Sequence, residues 1–380
     1  MKKYLIIGNG AAGTTAAETL RKLDSGAGIV MVTGEDLPYY SRIRLPEYVS
    51  GKLSEKDLII KDLQWHTKKG IDLFTGTTIK TIDFKKKRVY GTNGENFFYD
   101  KLLIATGSHS FIPPVQGIDL KNVFSLRGIQ DARNLLKLGP NLKQIVLIGG
   151  GLLGLEAGSH ILAGGRKVRV VEFFDRLLPR QLDAQGAAIL QKMMESMGFS
   201  FELGQVTEKL VGKIQVEGVL LKSGETLKAD AVVFSAGVRP NLELTKGSDI
   251  HTDKGIVVNE RMETTMPDVY AAGDVAEFKG INYCIWPEAV DQGRVAGTNM
   301  AGSEATYINL PPSNKLKVAG IDLASAGDID PDNVHTSEIV SNDTVYRKLV
   351  KDKDGNLIGC IMLGDTNDFN AVVKQIKGGR

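Results

Sequence analysis

Cysteine is scarce in this sequence: 380 residues contain only two, Cys284 and Cys360, 76 positions apart. They make neither a C-x-x-C nor a C-x4-C pair, so metal clusters and an internal redox dithiol are not expected. Each reads as a small semi-buried hydrophobe, and a structural disulfide does not suit a reducing compartment. Charge of one sign is lacking too. Lys and Arg number 47 against 45 Asp and Glu, a formal net charge of +2, and so weak a field prompts neither nucleic acid nor an anionic membrane as partner. No stretch approaches the roughly 18 apolar residues of a bilayer span. The apolar start of MKKYLIIGNGAAG is broken by glycines after Ile7, with no small-residue cleavage pattern behind it, so it reads as a buried strand and not a signal peptide. A cytoplasmic protein with no metal site is the expectation.

What the chain does hold is glycine, 43 residues, within a sequence that is 42% hydrophobic and long enough for two or three domains with their own cores. The glycines mark an internal repeat: Tyr4 to Glu35 and Ile145 to Glu172 follow one plan. An apolar strand (Tyr4 to Ile7; Ile145 to Ile148) enters a glycine-rich turn, GNGAAG at Gly8 to Gly13 or GGGLLG at Gly149 to Gly154. A helix follows, then a second apolar strand (Ile29 to Val32; Val168 to Val171) that leads to an acid. This is a βαβ unit twice over. Behind each copy the pattern predicts a meander (Ile71 to Tyr99; Phe201 to Leu227) and a closing strand (Lys101 to Ala105; Ala231 to Ser235). Pro113-Pro114 and Pro311-Pro312 punctuate the chain. Between them a third element, YAAGD at Tyr270 to Asp274, precedes a helix over 287–301. The remainder predicts short strands at Ile321 to Ala324, Val345 to Val350 and Ile358 to Leu363, a hairpin at Asp354-Gly355 and a last helix over 367–376.

The fold class expected is therefore α/β: two Rossmann-like dinucleotide-binding domains, one inserted in the other, plus a small β-rich carboxy-terminal domain. The expected boundaries are 1–112, 113–237, 238–310 and 311–380. A lone G-x-G-x-x-G is weak, but here strand, turn, helix and acid are all in place. Gly8 allows the tight turn, Gly10 admits a pyrophosphate, and Gly13 lets helix and strand pack closely, with phosphate at the helix amino terminus. Glu35, 22 residues past Gly13, can accept from ribose hydroxyls. In the second copy Gly149, Gly151, Leu152, Leu153 and Gly154 repeat the geometry, and Glu172 stands 18 residues beyond. An acid there suits a free ribose 2′-hydroxyl and repels a 2′-phosphate, so NADH is expected over NADPH; Arg176 and Arg180 are the cations that could meet a 2′-phosphate. Glu156 is either a simple helix-dipole partner or a group near the nicotinamide. Two sites could mean two cofactors exchanging hydride, or one live site and one relic. Gly273-Asp274 separates these, because an acid at that strand end can hold a polyol while the next helix aims its amino terminus at a flavin's pyrimidine edge.

In combination, GNGAAG, IATG (Ile104 to Gly107), GGGLLGLE (Gly149 to Glu156), SAGVRPN (Ser235 to Asn241) and YAAGDVAE (Tyr270 to Glu277) resemble the two-dinucleotide-fold flavoprotein reductases related to glutathione reductase, over the whole chain. Within them, PYYSRIRLPEYVSGK (Pro38 to Lys52), VVEFFDRLLPRQLD (Val170 to Asp183) and the short carboxy-terminal domain look most like NADH:rubredoxin reductases and the amino-terminal flavin part of nitrite reductase large subunits. The resemblance implies FAD at the first fold, held by Gly8, Gly10, Ala11, Ala12, Gly13, Glu35, Arg42, Ile79, Ala105, Thr106, Gly107, Arg127, Gly273, Asp274, Glu288 and Ala289. It implies NADH at the second, held by the fingerprint, Glu156, Glu172, Ala236 and Gly237.

The departures matter as much. The C-x4-C pair of the disulfide reductases has no counterpart in Thr14 to Thr19, and the single reactive cysteine of another branch aligns with Ile43. A flavin-side lysine of the ferredoxin reductases aligns with Glu47, leaving Arg42 or Arg44 as the nearby cation. With no thiol to receive electrons, the flavin does the chemistry, no general acid or nucleophile is needed, and Arg42 and Glu156 are the candidate catalytic residues. Electrons are expected to leave for a small iron carrier such as rubredoxin, met by a basic collar of Arg42, Arg44, Lys52 and Lys56. The alternatives are oxygen as acceptor, or service as the flavin subunit of a larger, nitrite-reductase-like complex.

Overall fold

The computed structural model describes residues 1–139, 141–308 and 313–378; Pro311-Pro312, the 310/311 boundary and Arg380 lie outside the described residues. The chain divides into two compact units. One comprises Met1–Arg42, Ser54–His109 and Val238–Ile308, the other Ile43–Leu53, Ser110–Gly237 and Asn309–Arg380.

The first unit is built on a parallel sheet in the order Val269–Ala271, Lys101–Ile104, Lys3–Ile7, Gly28–Val32, Ile71–Phe74. Its central strand is apolar on both faces, with Tyr4, Leu5 and Ile6 all but inaccessible, as a strand covered on both sides must be. The repeat unit's helix, Ala11–Leu23, runs against helix Trp286–Met300. Small residues let the two meet. A Cβ on Gly293 would come within 2.3 Å of the Ala12 carbonyl oxygen, and one on Gly297 within 2.8 Å of the Ala16 oxygen.

The second unit repeats the plan: Val123–Ser125, Ala231–Phe234, Gln144–Ile148, Lys167–Glu172, Phe199–Leu203, again all parallel. Helix Leu152–Ala163 links its third and fourth strands, and helix Ala184–Ser196 its fourth and fifth. This unit also contains an antiparallel sheet in the order Ser313–Val318, Ile321–Gly327, Leu357–Leu363, Tyr346–Lys351, Thr336–Ser341. Helix Phe369–Gly378 covers one face of it, burying Phe369, Val372 and Ile376 with Ala324, Cys360 and Met362.

The two meanders begin later than expected. Ile71–Phe74 and Phe199–Leu203 are edge strands of the parallel sheets, and the antiparallel ribbons proper are Ile79–Asp83, Arg88–Gly91, Asn96–Phe98 and Thr207–Val211, Gly218–Leu221, Thr226–Lys228. An edge strand with one exposed face alternates like a hairpin strand, so residue pattern alone does not separate the two. Strands Ser313–Val318 and Thr336–Ser341 carried no clear pattern, and the second of them is largely exposed.

Candidate dinucleotide-binding sites

In the first cradle Gly8 has φ +114° and its amide donates to the Val32 carbonyl at 2.8 Å. A Cβ at Gly8 would stand 2.0 Å from the Ala105 carbonyl oxygen, and one at Gly13 2.1 Å from the Gly8 oxygen. A Cβ at Gly10, by contrast, would meet nothing within 4 Å. Two glycines are thus required by the fold, and the third borders open space at the amino terminus of Ala11–Leu23, the position a pyrophosphate needs. Asn9 adds an observation that sequence reading missed. Its Oδ1 accepts from Thr14 Oγ1 at 3.3 Å, while its Nδ2, buried, has no hydrogen-bond partner. A buried donor without a partner is costly, and a bound group with acceptor oxygens would satisfy it.

Around this turn the structure gathers most of the first-site residues. Glu35 accepts from Tyr40 Oη at 2.7 Å and from Arg42 Nη2 at 2.6 Å. Arg42 also lies over the Tyr40 ring; burial works against its charge, but Tyr40, Glu35 and Asp274 outweigh that and hold its pKa above the ordinary guanidinium value. Asp274 accepts from Ser108 Oγ at 2.8 Å, and Gly273 donates its amide to the buried Gln292 at 2.9 Å. Thr106 is held from both sides by Asn241: Thr106 Oγ1 donates to the Asn241 carbonyl at 3.2 Å, and Asn241 Nδ2 donates to the Thr106 carbonyl at 2.8 Å. Ile79 and Ala105 are buried and Gly107 has φ +68°. Glu288, in the first turn of Trp286–Met300 beside Ala289, bonds with Tyr307 Oη, whose pKa is driven well up by burial and by that carboxylate. Tyr40, Ser108, Asn241, Gln292 and Tyr307 were not singled out. The first three stand in or next to motifs already quoted, and the other two left no local signal.

Arg127 falls in the second unit, its backbone amide donating to Asp131 at the start of helix Ile129–Leu136. Arg44 and Lys52 also lie in the second unit, whereas Arg42 and Lys56 belong to the first. Arg44 is paired with Glu47 at 3.2 Å.

The second cradle has the same logic. Gly149 has φ +109°, and a Cβ there would lie 2.4 Å from the Ser235 carbonyl oxygen; a Cβ at Gly154 would lie 2.8 Å from the Gly149 oxygen. Gly151 caps helix Leu152–Ala163, with Leu153 in the first turn. Glu172 ends its strand nearly inaccessible, its carboxylate accepting from the Gly150 amide at 2.5 Å and the Phe174 amide at 2.9 Å. Two backbone donors thus fix the Glu172 side chain at the end of the strand beside the turn. Arg176 pairs with Asp175 at 3.2 Å and Arg180 is exposed. Ala236 and Gly237, with φ +97° at Gly237, follow the strand beside the turn. Glu156 is half-buried, its Oε1 accepting from the Ala319 amide at 2.7 Å. Burial raises its pKa, the Ala319 amide opposes this, Glu47 adds to it, and Lys52 and Lys317 counter it.

Neither cysteine belongs to a thiol pair. Cys360 is buried, which pushes its thiol up to about 11, and Cys284 Sγ donates to Asn282 Oδ1 at 2.7 Å. No helix among the described residues is long and apolar enough to cross a membrane.

Two glycine-turn cradles on one chain, the second followed by a buried acid at its strand end, define a protein with two dinucleotide-binding folds. Comparison with known proteins makes the assignment specific: residues 2–301 match the family described as pyridine nucleotide-disulphide oxidoreductase, to which the chain belongs, and residues 312–380 match the rubredoxin NAD+ reductase carboxy-terminal domain. The NADH-rubredoxin oxidoreductase of Clostridium acetobutylicum is 35% identical over 379 residues, covering 99% of this chain and 92% of its own. Its crystal structure superposes with a TM-score of 0.84, covering 99% of this chain and 95% of that one. An NADH oxidase of Methanocaldococcus jannaschii is 34% identical over 392 residues, covering 95% and 87%. A nitrite reductase [NAD(P)H] of Bacillus subtilis is 35% identical over 380 residues, covering 99% of this chain but only 47% of that protein; the chain thus spans about half the length of some relatives it matches.

Proposed function

We propose that the chain binds FAD in the first cradle and NADH in the second, and passes electrons from NADH through FAD to a small iron carrier of the rubredoxin kind, in the cytoplasm. The observation that carries this reading is the doubled cradle: Gly8 and Gly149 are each locked by a close carbonyl, Gly10 faces open space, and the buried Asn9 amide awaits an acceptor. FAD, when bound, supplies hydride acceptance and one-electron release. The chain's own residues bind and orient. The amino terminus of Ala11–Leu23 and Asn9 receive the flavin nucleotide's phosphates. Glu35, aimed by Arg42 and Tyr40, takes ribose hydroxyls, and Asp274, steadied by Ser108, takes the polyol. The first turn of Trp286–Met300, with Glu288 and Ala289, faces the flavin's pyrimidine side with a helix dipole that favours negative charge. Glu172 selects NADH by repelling a 2′-phosphate, Leu152 and Gly151 open the helix that receives the pyrophosphate, and Ala236 and Gly237 border the nicotinamide half. No general acid or base is required. Arg42, through Glu35, is a positioning residue in this scheme.

The high coverage of the Clostridium enzyme in both directions supports the carrier reading. The Methanocaldococcus relative supports a second, with oxygen as acceptor, and the half-length matches a third, in which the chain is the flavin part of a larger electron-transfer assembly. Anaerobic stopped-flow absorbance separates them. The expected result is rapid bleaching of the flavin by NADH, slower bleaching by NADPH, then reoxidation by added rubredoxin. Reoxidation by air alone would favour the oxidase, and failure with either acceptor would favour the assembly; a chain without flavin, or one that NADH leaves unbleached, would refute the proposal.

A further inference from the structure

The carboxy-terminal sheet contains a lysine with no access to solvent, Lys348. A buried ammonium is tolerated only where every proton has an acceptor. Here Nζ donates to the Asp330 carbonyl at 2.7 Å and to Asn333 Oδ1 at 2.9 Å, and pairs with Asp183 Oδ2 at 3.2 Å. Tyr346, two residues earlier on the same strand and face, donates its hydroxyl to the same Asp183 oxygen at 2.7 Å. Asp183 is itself buried, and its Oδ1 caps helix Ala184–Ser196 by accepting from the Gly186 amide at 2.9 Å. The Tyr346 ring packs so tightly on that helix turn that a Cβ at Gly186 would lie 2.9 Å from it. One strand of the sheet is thereby anchored to a helix of the nicotinamide fold.

At the other side of the same sheet, Ser313–Val318 and Ile321–Gly327 are joined by the two-residue turn Ala319-Gly320, both residues at positive φ, +52° and +87°, the geometry of a tight hairpin. The Ala319 amide is not spent within the hairpin. It is donated to Glu156, in the second turn of the fingerprint helix Leu152–Ala163. Helical side chains lean towards the helix amino terminus, here the end that receives the dinucleotide.

We propose that the carboxy-terminal sheet is a working part of the nicotinamide site: anchored by Lys348 and Tyr346 on Asp183, it holds the Ala319 amide against Glu156 and so orients that carboxylate towards the bound dinucleotide. Lys348 is then a positioning residue for NADH, acting through the sheet on Glu156. The inference rests on the reading that the second cradle binds NADH, and it adds a third participant to that site beyond the fingerprint and Glu172.

The test uses the full-length, FAD-loaded chain with three variants: K348M, which keeps most of the side chain's length and removes its charge, E156Q, which keeps an acceptor for the Ala319 amide, and the double variant. Anaerobic stopped-flow titration gives the apparent Kd for NADH, while dithionite bleaching and flavin content report on the first cradle. K348M is expected to raise the Kd about tenfold, within the range of ordinary coupling between sites, with flavin content and dithionite bleaching unchanged. The double variant is expected to be no worse than E156Q alone, because Lys348 acts through Glu156. Wild-type NADH affinity in folded K348M would overturn the proposal, as would K348M and E156Q effects that multiply. Should K348M fail to fold, D183N takes its place, since an asparagine still caps the helix. A wild-type chain that dithionite bleaches and NADH does not would overturn the underlying reading, and the inference with it.

Discussion

Glycines at 8 and 149 have a job no other residue can do, since each combines a positive φ with a carbonyl 2.0 or 2.4 Å from where a Cβ would stand. Gly8→Ala adds about 1–3 kcal/mol of backbone strain before the clash is counted, so the variant is expected to purify colourless, a loss read from its visible absorbance. His66 offers a different test. Its side chain is almost wholly buried, Nδ1 lies 2.8 Å from the Asp62 carbonyl and must therefore donate, and Nε2 has no partner. Burial lowers its pKa below the ordinary value of 6.5, against the pull of Asp62. The folded protein thus keeps the ring neutral where the unfolded chain would protonate it, and this contribution to stability, present above the unfolded pKa, is lost as pH falls through 6.5 towards the folded value. Thermal melts should show a decline of up to about 1.4 kcal/mol per pH unit in that window, absent from His66→Gln. Among single residues, those bound to a motif were legible: the glycines, Glu35, Glu172, Asp274. Asn9 stood inside the first motif yet was unread, because its unsatisfied amide is a property of burial and not of spacing.

At the scale of elements, strands with two covered faces announced themselves through continuous apolar runs, and helices through their position after glycine turns. Edge strands did not, because half-exposed alternation is common to Ile71–Phe74 and to the ribbon behind it. The contact between Ala11–Leu23 and Trp286–Met300 was likewise hidden, although its physical cause is plain once seen: Gly293 and Gly297 lie one turn apart and remove the side chains that would hold the helices away. Gly293→Val forces a branched side chain towards the Ala12 carbonyl. A loss of about 1–3 kcal/mol is expected from overpacking, with release of flavin, since Ala12 lies in the first cradle. A thermal shift assay and the flavin-to-protein ratio would check both, and an unchanged ratio would argue against coupling between this packing and the cradle.

Over the whole molecule the two units run the same βαβ plan, and in the proposed reading they hold different cofactors, so damage should be separable. Gly149→Ala is expected to retain flavin that dithionite bleaches while NADH bleaching falls at least tenfold, the reverse of the Gly8→Ala outcome. If Lys56 guides an acidic carrier, the second-order rate of carrier reduction should fall with ionic strength, and Lys56→Glu should lower it several-fold without touching the NADH step; a salt-independent rate would remove Lys56 from the account. By itself the sequence determined the doubled βαβ plan, the family and the acid Glu172 at its strand end, because each rests on local requirements: a glycine where φ is positive, an acid at a strand end, a helix after a turn. Only the tertiary structure decided which distant groups complete those sites. Glu156 and Ala319, like Asp183 and Tyr346, are 163 residues apart, and no periodicity or spacing encodes a hydrogen bond that exists only after two separate sheets have formed and closed on one another.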